Sequence, residues 1–315
     1  MWRHNGIGMT KTCKCVLALL FCSACARVGA GAAIPHEITK VVTFVFLSPD
    51  GGKSFTPNGT GFFVGVKVGT DQFKVYLVTA RHVLKDSSGQ YYPTVWIRLN
   101  KRDGGSEMIT LPLTEKGGAF VRGAATVYEH PTDHTVDIAV IPFRPNESVF
   151  DFEIIPDEML TTKESFQELN ISEGSDVFFS GLFAQFIGQT RNYPITRFGR
   201  VAMMPTEKIP WQDTEKGPLE MVDLYLLETQ SFGGNSGSPV FFYLGSDRIP
   251  GSIIAGAPII KLAGVMKGTF RDASPLVMAN QNVIPLSLQN VGIAAVVPSY
   301  HLREILFSDA VKSLR

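Results

Sequence analysis

From residue 36 onward the sequence is a succession of short apolar, β-branched and aromatic runs, each cut by Gly, Pro, Asn or Asp, with few stretches of helical period. A chain punctuated in this way buries its apolar side chains by pairing strands into sheets, and the sheets must close to hide their edges. Strands are predicted at Thr39–Leu47, Gly61–Val66, Lys74–Thr79, Val95–Leu99, Ala125–Tyr128 and Asp137–Pro142, forming one lobe. Residues 144–170, with Pro145, Pro156 and several acids, read as a crossing segment. A second lobe comes after it, with strands at Asp176–Leu182, Arg197–Met203, Leu224–Thr229, Pro239–Tyr243, Ala263–Met266 and Gly292–Val297. Six strands each suffice for a small barrel, so the expected class is all-β, two six-stranded antiparallel β-barrels. After Pro298-Ser299, the spacing of Leu302, Ile305, Leu306, Ala310 and Leu314 predicts a closing amphipathic helix. The polar stretches Pro205–Pro218 and Arg271–Asn290 read as loops that shape access to a site.

Residues 1–33 stand apart. They hold Arg3, Lys11, Lys14 and Arg27 and no acid, with the short apolar run Val16–Ala26 and small residues ending in Ala30-Gly31-Ala32. This is the order of a cleavable signal peptide, with Met9 a second possible start. A run of eleven residues falls short of the roughly 20 that span a bilayer, so no integral membrane segment is expected in the mature chain. The destination is secreted or periplasmic, with lipid attachment at Cys25 as the alternative. All four cysteines (Cys13, Cys15, Cys22, Cys25) lie in this leader, so the mature fold is expected to hold without disulfides. The predicted organisation is therefore a leader (1–33), a first barrel (34–150) and a second barrel ending in the helix (151–315).

The formal net charge is zero, and Lys and Arg form no long run, so no nucleic-acid partner is expected. The strongest chemical signal is Gly233-Gly234-Asn235-Ser236-Gly237-Ser238-Pro239, set between two apolar runs. Glycines before a serine permit a tight turn whose N–H groups converge, and Gly237 leaves room for a substrate backbone. Standing alone, the segment is also compatible with an ordinary hairpin turn. A serine hydroxyl needs a base to take its proton and a group to orient that base. His82 closes the apolar strand Val75–Val78, and Asp137 enters the apolar run Ile138–Ile141, where a buried acid requires a hydrogen-bonding partner. Asp133 is an alternative acid. His130, Asp133, His134 and Asp137 also suggest a metal cluster, but Pro131 opposes the helix that would align the two histidines. Gly59-Thr60-Gly61 shares glycines with a dinucleotide fingerprint, yet a β-type run comes next instead of a helix.

Taken together, Thr79-Ala80-Arg81-His82, Asp137-Ile138-Ala139-Val140 and Gly234-Asn235-Ser236-Gly237-Ser238-Pro239 resemble the chymotrypsin-like (trypsin-like) serine protease superfamily, in the order His, Asp, Ser. Within it, Gly59-Thr60-Gly61-Phe62-Phe63-Val64 and Gly292–Ser299 are most similar to bacterial Deg/HtrA-type and glutamyl-endopeptidase-type members, without a C-terminal PDZ domain. The resemblance implies a serine endopeptidase acting on polypeptides. Ser236 would be nucleophile, His82 general base and acid, and Asp137 the orienting carboxylate. The N–H groups of Gly234 and Ser236 would form the oxyanion hole, and no metal or cofactor would be required.

At two positions the chain departs from the superfamily pattern. Asn235 stands where trypsin-like zymogens carry an acid that pairs with a new N-terminus, so activity is expected to be independent of such cleavage. Gln230, with Ser231 beside it, occupies the pocket position where trypsin-like enzymes carry an acid, and no histidine of the glutamyl-specific type is present. Lys267 is a further pocket candidate, with simple solvation as its bland alternative. A preference for apolar or small residues is the resulting expectation. Two other functions share these residues: a non-catalytic binding module on the same fold, and an esterase using the same triad.

Overall fold

The computed structural model describes residues 34–70, 72–115, 123–213, 217–245, 258–275 and 286–315, with side chains left aside at 115, 271–275 and 286–290. The predicted leader and its four cysteines lie outside the described residues. Among these residues no helix is long and apolar enough to cross a membrane.

A short helix, α1 (Glu37–Lys40), leads into the first barrel, so the predicted strand at Thr39 begins late. The strands are β1 (Val42–Leu47), β2 (Thr56–Lys67), β3 (Phe73–Thr79), β4 (Thr94–Asn100), β5 (Ser106–Glu115), β6 (Ala125–Val127) and β7 (Ala139–Pro142). They take the order β6-β5-β4-β1-β2-β3-β7. Reciprocal hydrogen bonds between Tyr128 and Val140, at 2.8 and 2.9 Å, bring the two ends of the sheet together. The sheet thus has seven strands where six were expected. The additional strand is β5, whose Glu107, Pro112 and Glu115 interrupt the apolar pattern that marks the others. Phe46, Val64, Tyr76, Leu77, Val78 and Ile97 are fully buried, each such side chain contributing about 1.5–3 kcal/mol of transfer free energy. The crossing segment adds β8 (Ile155–Pro156), parallel to β2, and α2 (Lys163–Glu168), which is held by a capping box at Thr162.

The second barrel closes completely. Its strands are β9 (Asp176–Gly181), β10 (Ile195–Met203), and then, after a hairpin of β11 (Ile209–Trp211) and β12 (Glu220–Val222), β13 (Tyr225–Glu228), β14 (Pro239–Leu244), β15 (Ile259–Pro275) and β16 (Leu286–Pro298). The closed order is β10-β13-β16-β15-β14-β9. Phe179, Val201, Leu227, Val240, Phe242, Met266 and Val296 fill its interior. Both stretches predicted to be loops carry strand structure. β11 lies within Pro205–Pro218, and β15 and β16 run on as a paired ribbon from Arg271↔Asn290 to Pro275↔Leu286. The chain ends in α3 (Ser299–Leu306), which buries Leu302, Ile305 and Leu306. A separate turn, α4 (Asp309–Lys312), comes next because Ser308 takes an extended conformation, so the single helix predicted to Leu314 is broken there.

Buried polar contacts fasten the barrels together. Arg98 on β4 sends its guanidinium to the carbonyls of Ile187 and Gly188 and, from Nε, to Asn192 Oδ1 at 2.6 Å. With so little solvent around it, desolvation lowers the pKa of this guanidinium.

Candidate active site

The pairing of β3 with β7 places Thr79 opposite Ala139, so the residues just after β3 and just before β7 are neighbours. His82 sits in a one-turn 3-10 segment, Arg81–Leu84, directly after β3. Its main-chain N–H donates to Asp137 Oδ1 at 3.0 Å, and its Nδ1 lies 2.7 Å from Asp137 Oδ2. Asp137 is 2 % exposed, and its carboxylate can only accept, so the proton on the ring belongs on Nδ1. This leaves the Nε2 lone pair of the neutral imidazole free to take a proton. Burial pushes the Asp137 pKa up, but the charges of His82 and Lys267 and the hydrogen bonds from His82 outweigh it, holding the carboxyl far below the ordinary range. For His82, desolvation acts downward, while the charge and hydrogen bond of Asp137, partly opposed by Lys267, bring the net pKa above its ordinary value.

Ser236 lies in the turn between β13 and β14, and Asn235 shapes that turn. Its amide Nδ2 donates to the Leu182 carbonyl at 2.7 Å, while Oδ1 accepts the Phe232 N–H at 2.8 Å and the Ser231 hydroxyl at 3.4 Å. Only a side chain with both a donor and an acceptor meets these demands. Gly237 has φ +83°, and a Cβ there would lie 2.1 Å from the Thr60 carbonyl and 2.4 Å from Thr79 Oγ1, so the glycine is obligatory. Thr60, fully buried on β2, ties this turn to the first barrel. Its N–H donates to the Ser236 carbonyl at 2.9 Å and its hydroxyl to the Gly234 carbonyl at 2.8 Å, while the same hydroxyl accepts the Leu182 N–H at 2.9 Å. Among the described residues the N–H groups of Gly234 and Ser236 have no acceptor.

Ser236 Oγ donates to the main-chain carbonyl of Lys267 at 3.1 Å rather than to His82. Lys267 also reaches Asp137. Its Nζ lies 3.2 Å from Asp137 Oδ2, the oxygen that holds His82, and 2.7 Å from Asp213 Oδ1. The main chain of one residue on β15 thus contacts the serine while its side chain contacts the aspartate, linking Ser236 to Asp137. With its side chain only 3 % exposed, Lys267 directs its ammonium into this cluster and not toward solvent. Desolvation lowers its pKa, but Asp137 and Asp213 overcome this and leave it raised. Gln230 is exposed, and Ser231 is buried against Asn235.

Asp133, the alternative acid, is instead 2.7 Å from Lys208 and accepts from Thr135. His130 does not join Asp137. It forms a cluster with His301 and Glu304, their ligand-type atoms lying within 4.8 Å of one another. In that cluster His130 Nδ1 accepts the Asp133 N–H at 2.9 Å, so its proton sits on Nε2 and is directed at Glu304 Oε2, 2.8 Å away. The hydrogen bond from His130 to Glu304, whose Oε2 also lies 2.8 Å from His301 Nδ1 of the same helix, fastens α3 to the first barrel. Three residues of this candidate site carry little signal in the sequence. Thr60 stands out only for its flanking glycines, Asp213 not at all, and Asn235 only as a departure from a zymogen pattern.

No protein-family model matches this sequence, and no curated protein is significantly similar to it. Among solved structures 304 chains match. One is the serine endoprotease from Yersinia pestis, with 13 % identity and a TM-score of 0.45, the match covering 89 % of this chain and 65 % of that one. The chain therefore corresponds to less than two thirds of the length of that neighbour.

Proposed function

We propose that this chain is a secreted serine endopeptidase that hydrolyses peptide bonds through Ser236, His82 and Asp137. The observation that carries the reading is the 2.7 Å contact of His82 Nδ1 with buried Asp137 Oδ2, beside a serine on a tight turn with adjacent N–H groups. In this reading the Ser236 hydroxyl rotates from the Lys267 carbonyl to His82 Nε2, and Oγ attacks the scissile carbonyl as its proton passes to the imidazole. The N–H groups of Gly234 and Ser236 receive the oxyanion, a role in which loss of one donor typically costs about 3 kcal/mol. The imidazolium then protonates the leaving amine. Water, deprotonated by the same ring, releases the acyl group from Ser236. Asp137 keeps the ring in the productive tautomer throughout.

Gln230 and Ser231 present no charge at the proposed pocket, which fits an apolar or small side chain before the cleaved bond. Residues 1–33 direct export to the periplasm or medium, by cleavage or through lipid at Cys25. The alternative of a non-catalytic binding module draws on one observation, the donation of Ser236 Oγ away from His82. Treating folded wild type and Ser236→Ala with a fluorophosphonate separates the two. A covalent adduct on Ser236 in wild type alone is expected, and folded wild type that takes no label refutes the enzyme reading. Comparing peptide and ester turnover then distinguishes peptidase from esterase.

A further inference from the structure

The β11–β12 hairpin delivers a charge to the centre of the site. Trp211, 9 % exposed, packs its ring edge-on to Phe270 of β15 at 5.0 Å and lies 5.5 Å from Lys267 Nζ. Gly268 leaves the room for this ring, since a Cβ there would already touch it at 3.3 Å. Trp211 Nε1 donates to Asp213 Oδ1 at 2.6 Å, the same oxygen that accepts Lys267 Nζ at 2.7 Å. Lys208, just before the hairpin, pairs with Asp133 of the first barrel at 2.7 Å, so the hairpin is anchored on both sides of the cleft.

His82 Nδ1 and Lys267 Nζ share Asp137 Oδ2. An ammonium there competes with the imidazole for the negative charge that would stabilise its protonated form. Asp213 draws Lys267 the other way. On the basis of the triad proposed for this site, we propose that Lys267 and Asp213 are positioning residues, and that seating of the β11–β12 hairpin, by holding Asp213 on Lys267, keeps the ammonium from taking Asp137 away from His82. The hairpin is then a regulatory element. Anything that lifts it withdraws Asp213, leaves Lys267 wholly on Asp137 and weakens the base that activates Ser236. The charged groups acting on His82 are Asp137 beside it, Lys267 from β15 and Asp213 from the hairpin, while Lys208 and Asp133 neutralise each other at the hairpin's foot.

The test is the pH dependence of Ser236 acylation by a fluorophosphonate, with NMR titration of the His82 ring alongside, in wild type, Asp213→Asn, Lys267→Met, Lys267→Arg and the Asp213→Asn/Lys267→Met double variant. Removing Asp213 leaves the Lys267 ammonium wholly on Asp137, where it opposes the imidazolium, so the acid limb and the ring titration move to lower pH, with acylation slowed about three- to tenfold at the plateau. Removing Lys267 moves both to higher pH, the double variant matches Lys267→Met, and Lys267→Arg stays close to wild type. Should Lys267→Met not fold, Asp213→Asn and Lys267→Arg decide the matter, because Asp213 is half exposed. Labelled variants whose profiles and ring titrations coincide with wild type overturn the proposal and leave the triad standing. If wild type takes no label, the enzyme reading fails, and the ring titration alone still decides whether the Asp213–Lys267 pair acts on His82.

Discussion

The main-chain N–H of Thr60 donates to the carbonyl of Ser236 at 2.9 Å, so a strand of the first barrel directly holds the residue whose hydroxyl the second barrel presents. The Thr60 side chain completes the tie through Gly234 and Leu182. Thr60→Val keeps the shape and removes the hydroxyl, leaving a buried carbonyl without its donor and a buried N–H without its acceptor. The expected cost is about 1–3 kcal/mol of stability, with a loss of Ser236 labelling greater than the stability change explains. Thr60→Ser retains both bonds. Chemical denaturation and labelling rates on the three proteins check this, and equal behaviour of Val and wild type contradicts it.

Asn235→Asp replaces a donor with an acceptor against the Leu182 carbonyl. The buried carboxyl would be held in its neutral form, so its pKa in the folded protein would exceed that in the unfolded chain. A raised carboxyl pKa makes the variant relatively more stable at acid pH and less stable above it. Melting experiments across pH should show a deficit of about 2–4 kcal/mol at neutral pH that shrinks on acidification. A pH-independent difference would argue against the assigned amide contacts.

In the proposed mechanism the neutral His82 ring is the base, so activity should rise with pH through the raised pKa of that ring, with the acid limb above 6.5. The stability due to His82 has the opposite course, being complete below the ordinary histidine value and lost as pH climbs through the folded value. Asp137, strongly depressed, contributes stability that is present above its ordinary pKa of 3.8 and lost only as pH falls toward its folded value. A pH–rate profile should therefore show one acid limb, with no second step in the weakly acidic range where an unperturbed carboxylate would titrate.

Asp137→Asn removes the acceptor that fixes the ring tautomer and is expected to lower kcat by about 10⁴-fold with little change in overall fold. Single-turnover acylation measures this. A loss under about tenfold would show that Asp137 does not orient His82.

Arg98→Met tests the fastening of the barrels separately from the chemistry. It strips hydrogen bonds from Ile187, Gly188 and Asn192 and should destabilise the protein by about 2–3 kcal/mol. The midpoint of the acid limb should not move, because none of these groups touches His82, Asp137 or Ser236. A shifted midpoint would indicate coupling that the contacts do not provide.

Much of the architecture is legible because strand formation leaves a local record. The unbroken apolar runs Val75–Val78 and Phe178–Phe179 record strands buried on both faces, and turn residues mark where the chain reverses. β5 leaves no such record for the same reason in reverse, since its outward face carries Glu107 and its run contains Pro112. The ribbon formed by Arg271–Pro275 and Leu286–Asn290 reads as loop because its polar sequence gives no sign of the cross-strand partner that pairs with it.

His82, Asp137 and Ser236 can be singled out because each sits at the end of an apolar strand or in a glycine-rich turn, a property of a few consecutive residues. The direction taken by the Lys267 ammonium, the arrival of Asp213 beside it and the hold of Thr60 on the Ser236 turn are different in kind. They are set by which strands become neighbours and by how a hairpin packs on β15, bringing together charges and hydrogen-bonding groups that lie tens to more than a hundred residues apart in the chain. Electrostatic and hydrogen-bond energies depend on distances of a few ångströms, and only the tertiary structure decides those.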